Sequence, residues 1–252
     1  MNQEKETDNI ETQENEQLNF FDHLEELRKR ILWGLVGLVL GCIISGIFIE
    51  QIMNYVLLLP AKTANLKLQN LRPFGLPFLY FKLIFIVGFI ISFPFILYQL
   101  WLFIEPALYK NEKAWAKKVT FFTSLCFLTG VAFAFFLMIP SMLGFAASFS
   151  NVEIQNNIDI NEYFGFISMT MLAAGIIFEM PMLSYVLTKF GVINPKLILK
   201  YWRHSIIIIF ILAAILTPTP DPINQTFFAI PLILLYFISY WISKLSFKPK
   251  ID

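Results

Sequence analysis

Three places in a predominantly apolar chain hold residues whose types and spacing suit them to chemistry. The first is the run Asn19-Phe20-Phe21-Asp22-His23-Leu24-Glu25-Glu26-Leu27-Arg28-Lys29-Arg30. Glu25 with Lys29 and Glu26 with Arg30 have the (i, i+4) spacing of ordinary helix ion pairs, and that structural use is the favoured one on the residues alone. The second is Glu112, which follows Phe103-Ile104-Glu105-Pro106-Ala107-Leu108-Tyr109-Lys110-Asn111 and precedes Lys113. With lysines on both sides it reads as a solvated loop charge. The third is Glu179 in Phe178-Glu179-Met180-Pro181, inside an apolar run. An acid at the centre of a membrane helix costs about 2.5–3.5 kcal/mol on insertion scales, so it must be neutral, paired or facing water. A functional role outweighs a decorative one there.

Lesser polar candidates are Gln225 and His204, the latter an interfacial anchor among Lys200 and Arg203. Other chemistries are missing from the sequence. There is no phosphate-binding G-x-x-x-x-G-K-[ST] loop and no Cys/His cluster with metal spacing. The two histidines lie on separate segments with no evident nucleophile. Cys42 and Cys126 sit in apolar runs and read as small buried hydrophobes. We expect no enzyme, no cofactor, no metal and no nucleic-acid partner.

The elements that must position these groups are membrane spans. Hydrophobic residues make up 57% of the 252 residues and charged ones 15%, against about a quarter charged in soluble domains. Mean hydropathy is +0.66. Uncharged runs cover Ile31–Ile49, Leu83–Phe103 (with Pro94 near its middle) and Val119–Ile139. Phe164–Leu187 carries one acid, Glu179; Ser205–Leu216 and Phe227–Ile242 are shorter. Spanning takes roughly 20 helical residues. The first four runs meet that and the last two fall short, joined by Thr217-Pro218-Thr219-Pro220-Asp221-Pro222, which cannot continue a helix. The expected fold is an all-α polytopic membrane protein with six transmembrane helices, the last two short, with either the bilayer thinned locally around them or their connecting turn below the outer headgroups.

Lysine and arginine placement sets the orientation. Fifteen of them fall on the N-terminal segment, the second and fourth loops and the tail, and three on the first loop; the third and fifth loops have none. Both termini are therefore expected in the cytosol. Residues 1–18 are acidic and polar, unlike a secretory signal or transit peptide, and read as a disordered cytosolic leader. Residues 19–30 read as an amphipathic interfacial helix, with Phe20, Leu24, Leu27 and Ile31 on one face. The six-helix domain then takes 31–243 and a basic cytosolic tail 244–252. Gly34, Gly37, Gly41 and Ser45 recur at spacings of three and four. They either let another helix approach closely or are simply tolerated in lipid.

Four strings, in register, resemble the TatC family, the polytopic subunit of the Sec-independent, twin-arginine protein translocase. They are His23-Leu24-Glu25-Glu26-Leu27-Arg28-Lys29-Arg30; Phe93-Pro94-Phe95-Ile96-Leu97-Tyr98-Gln99-Leu100-Trp101-Leu102-Phe103 running into Pro106-Ala107-Leu108-Tyr109-Lys110-Asn111-Glu112; Phe178-Glu179-Met180-Pro181; and Leu216-Thr217-Pro218 with Asp221 and Gln225-Thr226. The resemblance spans roughly residues 19–243. It implies a receptor for the twin-arginine signal peptides of folded precursor proteins, in the bacterial cytoplasmic (inner) membrane and driven by the proton gradient. It also implies single-span partners of the TatA/TatB type, hence a hetero-oligomer in the lipid bilayer. Glu26 and Glu112 match the family's cytosolic twin-arginine site, with Arg28, Phe103, Pro94 and Gln99 around it. Pro60 matches a proline of the first outer loop. Glu179 matches the acid of the concave inner face, where Gln225 adds a second polar group. Glu105 departs from the family's usual uncharged residue and receives no role. Two other readings compete: a proton-coupled secondary transporter for a small solute using Glu179, which lacks an evident internal repeat, and a structural subunit without a recognition site.

Overall fold

The computed structural model describes residues 2–64, 66–104, 113–148, 157–216 and 222–247. Nearly everything described is helix, as a chain in lipid requires: with no water to satisfy backbone N–H and C=O groups, each span must bond internally.

Helix α1 runs Asn2–Ile47. It carries helix back through the segment expected to be a disordered leader and makes 19–30 part of one continuous rod. Neither glycine nor proline occurs from Asn2 to Trp33, and the segment is rich in the good helix formers Glu and Gln. Short helix α2 (Ile49–Gln51), a π-helical turn (Ile52–Leu57) and α3 (Leu59–Thr63) follow. Strand β1 (Lys67–Gln69) leads to α4 (Gly75–Ile104), which holds Pro94 without breaking. The third span is α5 (Lys113–Phe133), a π-helical turn (Ala134–Met138) and α6 (Ile139–Ser148). Strand β2 (Asn157–Asp159) precedes α7 (Ile160–Ile177) and α8 (Met180–Lys189). Helices α9 (Pro195–Lys200), α10 (Trp202–Leu216) and α11 (Pro222–Ser246) follow.

Among the described residues, five stretches are long and apolar enough to cross a membrane: Leu24–Ile47, Gly75–Ile104, Lys117–Phe145, Ile160–Lys189 and Phe228–Ser246. Trp202–Ile215 is apolar but shorter. The expectation of two short final helices holds for α10, whose 15 residues rise about 22 Å. It does not hold for α11, whose 25 residues rise about 37 Å. Counting only uncharged residues missed its ends: the helix begins at Pro222, a favoured first-turn residue, and continues past Lys244.

Small residues bring the first two spans together. A Cβ on Gly41 would lie 2.5 Å from the Gly88 carbonyl oxygen, and one on Gly88 would lie 2.7 Å from Cys42 Cα. Gly37 faces the Phe95 ring, and Ser45 is fully buried, whereas Gly34 faces open space. Of the two readings of this stripe, close helix approach is the one realised at Gly37 and Gly41. The second and third spans meet through the stacked rings of Phe93 and Phe127, 3.6 Å between centroids. Phe127 also fills the space left by Gly175, and Gly130 abuts Ala174 and Phe178, so α5 and α7 share a tight seam. Exposed Ile207, Ile208, Ile211 and Ile215 on α10 and Leu32, Val36, Val39 and Ile43 on α1 suit an apolar solvent.

The end of the bundle opposite Glu26 is tied by a feature no sequence pattern announced. β1 and β2 pair in parallel, Lys67 with Asn157, Leu68 with Ile158 and Gln69 with Asp159. The Asp159 carboxylate accepts from the Asn161 backbone N–H (2.9 Å) and side-chain amide (3.1 Å), capping α7. Arg72 lies 3.6 Å from its other oxygen. Those N–H bonds, chiefly the backbone one, together with the Arg72 charge, hold its carboxyl below the usual aspartate range against the opposing pull of burial. Nearby, the Tyr163 hydroxyl donates to the Leu57 carbonyl (2.8 Å) and accepts from the Ala61 N–H (3.0 Å), stitching both sides of buried Pro60 to α7.

Candidate recognition site

The antiparallel α1–α4 pair decides what gathers at the other end. With Gly41 against Gly88 and Gly37 against Phe95, the same pairing carries Arg30 toward Gln99 farther along. Arg30 donates through Nη2 to Glu26 Oε1 at 3.1 Å, one helical turn back. Through Nη1 it makes a longer bond, 3.5 Å, to Gln99 Oε1 on α4. Its Nε is buried without a hydrogen-bond partner among the described residues. Gln99 is 8% exposed. Glu26 is half-buried, while Glu25, Arg28 and Lys29 are exposed, and a shallow depression lies among Glu25, Glu26, Lys29 and Arg30. Of the two expected helix pairs, the structure makes the one between Glu26 and Arg30.

Pro94 sits half-buried, five residues before Gln99 on α4, and Phe103 is half-buried in that helix's last turn. The structure therefore brings Glu26, Arg30 and Gln99 together and puts Pro94 and Phe103 on the same helix as Gln99. Glu112, Glu105 and Pro106 lie outside the described residues.

Glu179 stands elsewhere, inside the fourth span. Pro181 has no N–H to offer the Ile177 carbonyl, and its ring clashes with that group. The helix accordingly breaks between Ile177 and Met180. Phe178 N–H still reaches Ala174 O, while Glu179 N–H bonds Ile176 O in a tightened turn. The break turns Glu179 into the seam with the third span, near Cys126 and Phe127. It is 6% exposed, and its Oε1 has no hydrogen-bond partner among the described residues. Gln225, near the start of α11, donates to the Phe210 carbonyl at 2.8 Å and so ties α11 to α10. Thr188 and Ser243 share a buried 2.6 Å hydrogen bond between α8 and α11.

A family model described as Sec-independent protein translocase protein (TatC) matches residues 22–231. The chain belongs to the TatC family. A protein of Koribacter versatilis (strain Ellin345) named Sec-independent protein translocase protein TatC is 39% identical, over 88% of this chain and 83% of its own length. Its namesake from Aquifex aeolicus (strain VF5) is 36% identical, over 91% of this chain and 96% of its own. A crystal structure described as the twin arginine translocase receptor TatC superposes with a TM-score of 0.80 at 36% identity, covering 89% of this chain and 99% of that one. TatC proteins are translocase subunits and not enzymes, so this chain is a multi-pass membrane protein that works within a translocase complex.

Within the TatC family match lie all the candidates: Glu26, Arg28, Pro94, Gln99, Phe103, Glu112, Glu179 and Gln225. Reading the sequence alone gave Arg30 no role beyond a helix ion pair. Its spacing from Glu26 was visible, but its second partner, Gln99, is 69 residues away and becomes a neighbour only through the glycine-mediated approach of α1 and α4.

Proposed function

We propose that this chain is the twin-arginine signal-peptide receptor of its translocase, with Glu26 and Glu112 together gripping the two adjacent guanidinium groups. The observation that supports it is the guanidinium cradle at the end of span one: Glu26 Oε1 and Gln99 Oε1 both engage the Arg30 head. A carboxylate backed by a buried amide suits a planar fork with several donors, and hydrogen bonds to charged groups contribute about 1.5–3 kcal/mol each. Lysine is a point charge without that fork, which accounts for selection of twin arginine over twin lysine. The description of the related crystal structure as a receptor agrees with this reading.

In this proposal both termini face the cytosol and α10 and α11 form the fifth and sixth crossings. Glu26 and Glu112 then face the cytosol at the headgroup level of a bacterial cytoplasmic (inner) membrane. Arg28, Phe103, Pro94 and Gln99 shape the site. The apolar part of the signal lies along the concave face beside Glu179 and Gln225. Binding recruits single-span subunits of the TatA/TatB type, the proton gradient supplies the energy for moving folded cargo, and the chain forms no covalent intermediate.

The test is site-specific crosslinking of a twin-arginine precursor to this chain in membranes. Glu26→Ala and Glu112→Ala should each abolish or strongly reduce the crosslink while the protein still inserts. Normal crosslinking in both variants refutes the assignment.

A further inference from the structure

Arg30 occupies the Glu26 carboxylate in the folded chain. Its Nη2 sits on the carboxylate that the receptor reading assigns to the incoming arginine, and its Nη1 reaches across to α4. A ligand guanidinium cannot take the same geometry on Glu26 Oε1 until Arg30 gives it up. We propose that Arg30 is a specificity-determining residue, an intrachain competitor that any ligand must displace from Glu26; the inference rests on the receptor reading above.

The competition is one of like with like, and it filters by shape as well as by charge. A ligand arginine offers the carboxylate and the Gln99 amide the same donors that Arg30 withdraws, so the exchange is nearly balanced. A ligand lysine brings one compact ammonium, which cannot cover both acceptors at once. Its arrival leaves Gln99, only 8% exposed, short of a donor. Glu25 lines the same depression and adds a second carboxylate to it. With its Nε already buried and unbonded, Arg30 is held by two bonds where its five donors could make more. It is therefore a displaceable occupant and not a locked one.

The experiment measures binding of a synthetic twin-arginine peptide and its twin-lysine counterpart to the purified full-length protein in detergent, by fluorescence anisotropy. Arg30→Gln should tighten twin-arginine binding by about two- to fivefold, the range expected from releasing one partly exposed ion pair. Twin-lysine binding should gain more, so that the ratio between the peptides narrows. Arg30→Lys keeps the charge without the fork and should fall between wild type and Arg30→Gln for both peptides. If Arg30→Gln does not yield folded protein, the direction of the Arg30→Lys change decides. Glu26→Gln separates the two ideas. If Glu26→Gln loses binding while the Arg30 variants bind equally or more weakly, with an unchanged peptide ratio, the competitor role is overturned and the receptor reading stands. If Glu26→Gln binds as wild type, both fall.

Discussion

Replacing Gly88 with alanine puts a methyl group where the first span has left no room. The added Cβ would lie 2.7 Å from Cys42 Cα and 2.8 Å from its backbone nitrogen, both inside a helix and unable to swing aside. Ordinary contact begins near 3.4 Å, so α1 and α4 must part by well over half an ångström. Overpacking of this kind costs about 1–3 kcal/mol, offset in part by the roughly 1 kcal/mol that alanine gains over glycine in a helix. The parting also stretches the Arg30–Gln99 bond, which at 3.5 Å is already long, out of hydrogen-bond range. Gly34→Ala is the matched control, because its Cβ meets nothing within 4 Å. Thermal unfolding in detergent should show Gly88→Ala less stable than wild type by up to about 2 kcal/mol and Gly34→Ala equal or slightly more stable. Peptide affinity should change in Gly88→Ala and not in Gly34→Ala. If both glycines behave alike, the seam does not position the site in the way argued.

Other expectations follow from single side chains. Glu179→Cys, in a background with Cys42 and Cys126 replaced by serine, should resist small aqueous thiol reagents in the resting protein, since Glu179 is 6% exposed; rapid labelling would place it in a wet groove. Tyr163→Phe removes both bonds that hold Leu57 and Ala61. It should cost about 1–3 kcal/mol, and hydrogen exchange at the Ala61 amide should accelerate; an unchanged rate would mean the hydroxyl is dispensable. Asp159, whose carboxyl is depressed in the fold, contributes stability that is complete above the ordinary aspartate range of about 3.9 and lost as pH falls through its lower folded value. Amide exchange in β1 and β2 should thus be unchanged between neutral and mildly acidic pH and accelerate only in stronger acid. Asp159→Asn should already exchange faster at neutral pH and lack that transition; matching profiles would dismiss the anchor.

Much of this was legible in the sequence because membrane physics is severe. Uncharged runs marked the first four spans, and Glu179 stood out as the one acid of the fourth. The length of α11 was not legible, because helix continues through Asn224, Gln225 and Thr226 at one end and Lys244 at the other, residues that a charge-and-hydropathy count leaves out. The β1–β2 pair was not legible either: three-residue strands separated by the second and third spans carry no period to detect. At the candidate site, Glu26 and Gln99 were named through resemblance, but their common engagement of Arg30 depends on which faces of α1 and α4 meet. The glycine stripe allowed that contact without requiring it.

In the proposed receptor, carboxylates at one end of the bundle recognise paired guanidinium groups. Equilibrium binding of the twin-arginine and twin-lysine peptides to the wild-type chain and to a Glu26→Gln, Glu112→Gln double variant tests that recognition most directly. The twin-arginine peptide should bind saturably to wild type alone, with the twin-lysine peptide much weaker. Equal binding of both peptides, or undiminished binding by the double variant, would contradict it.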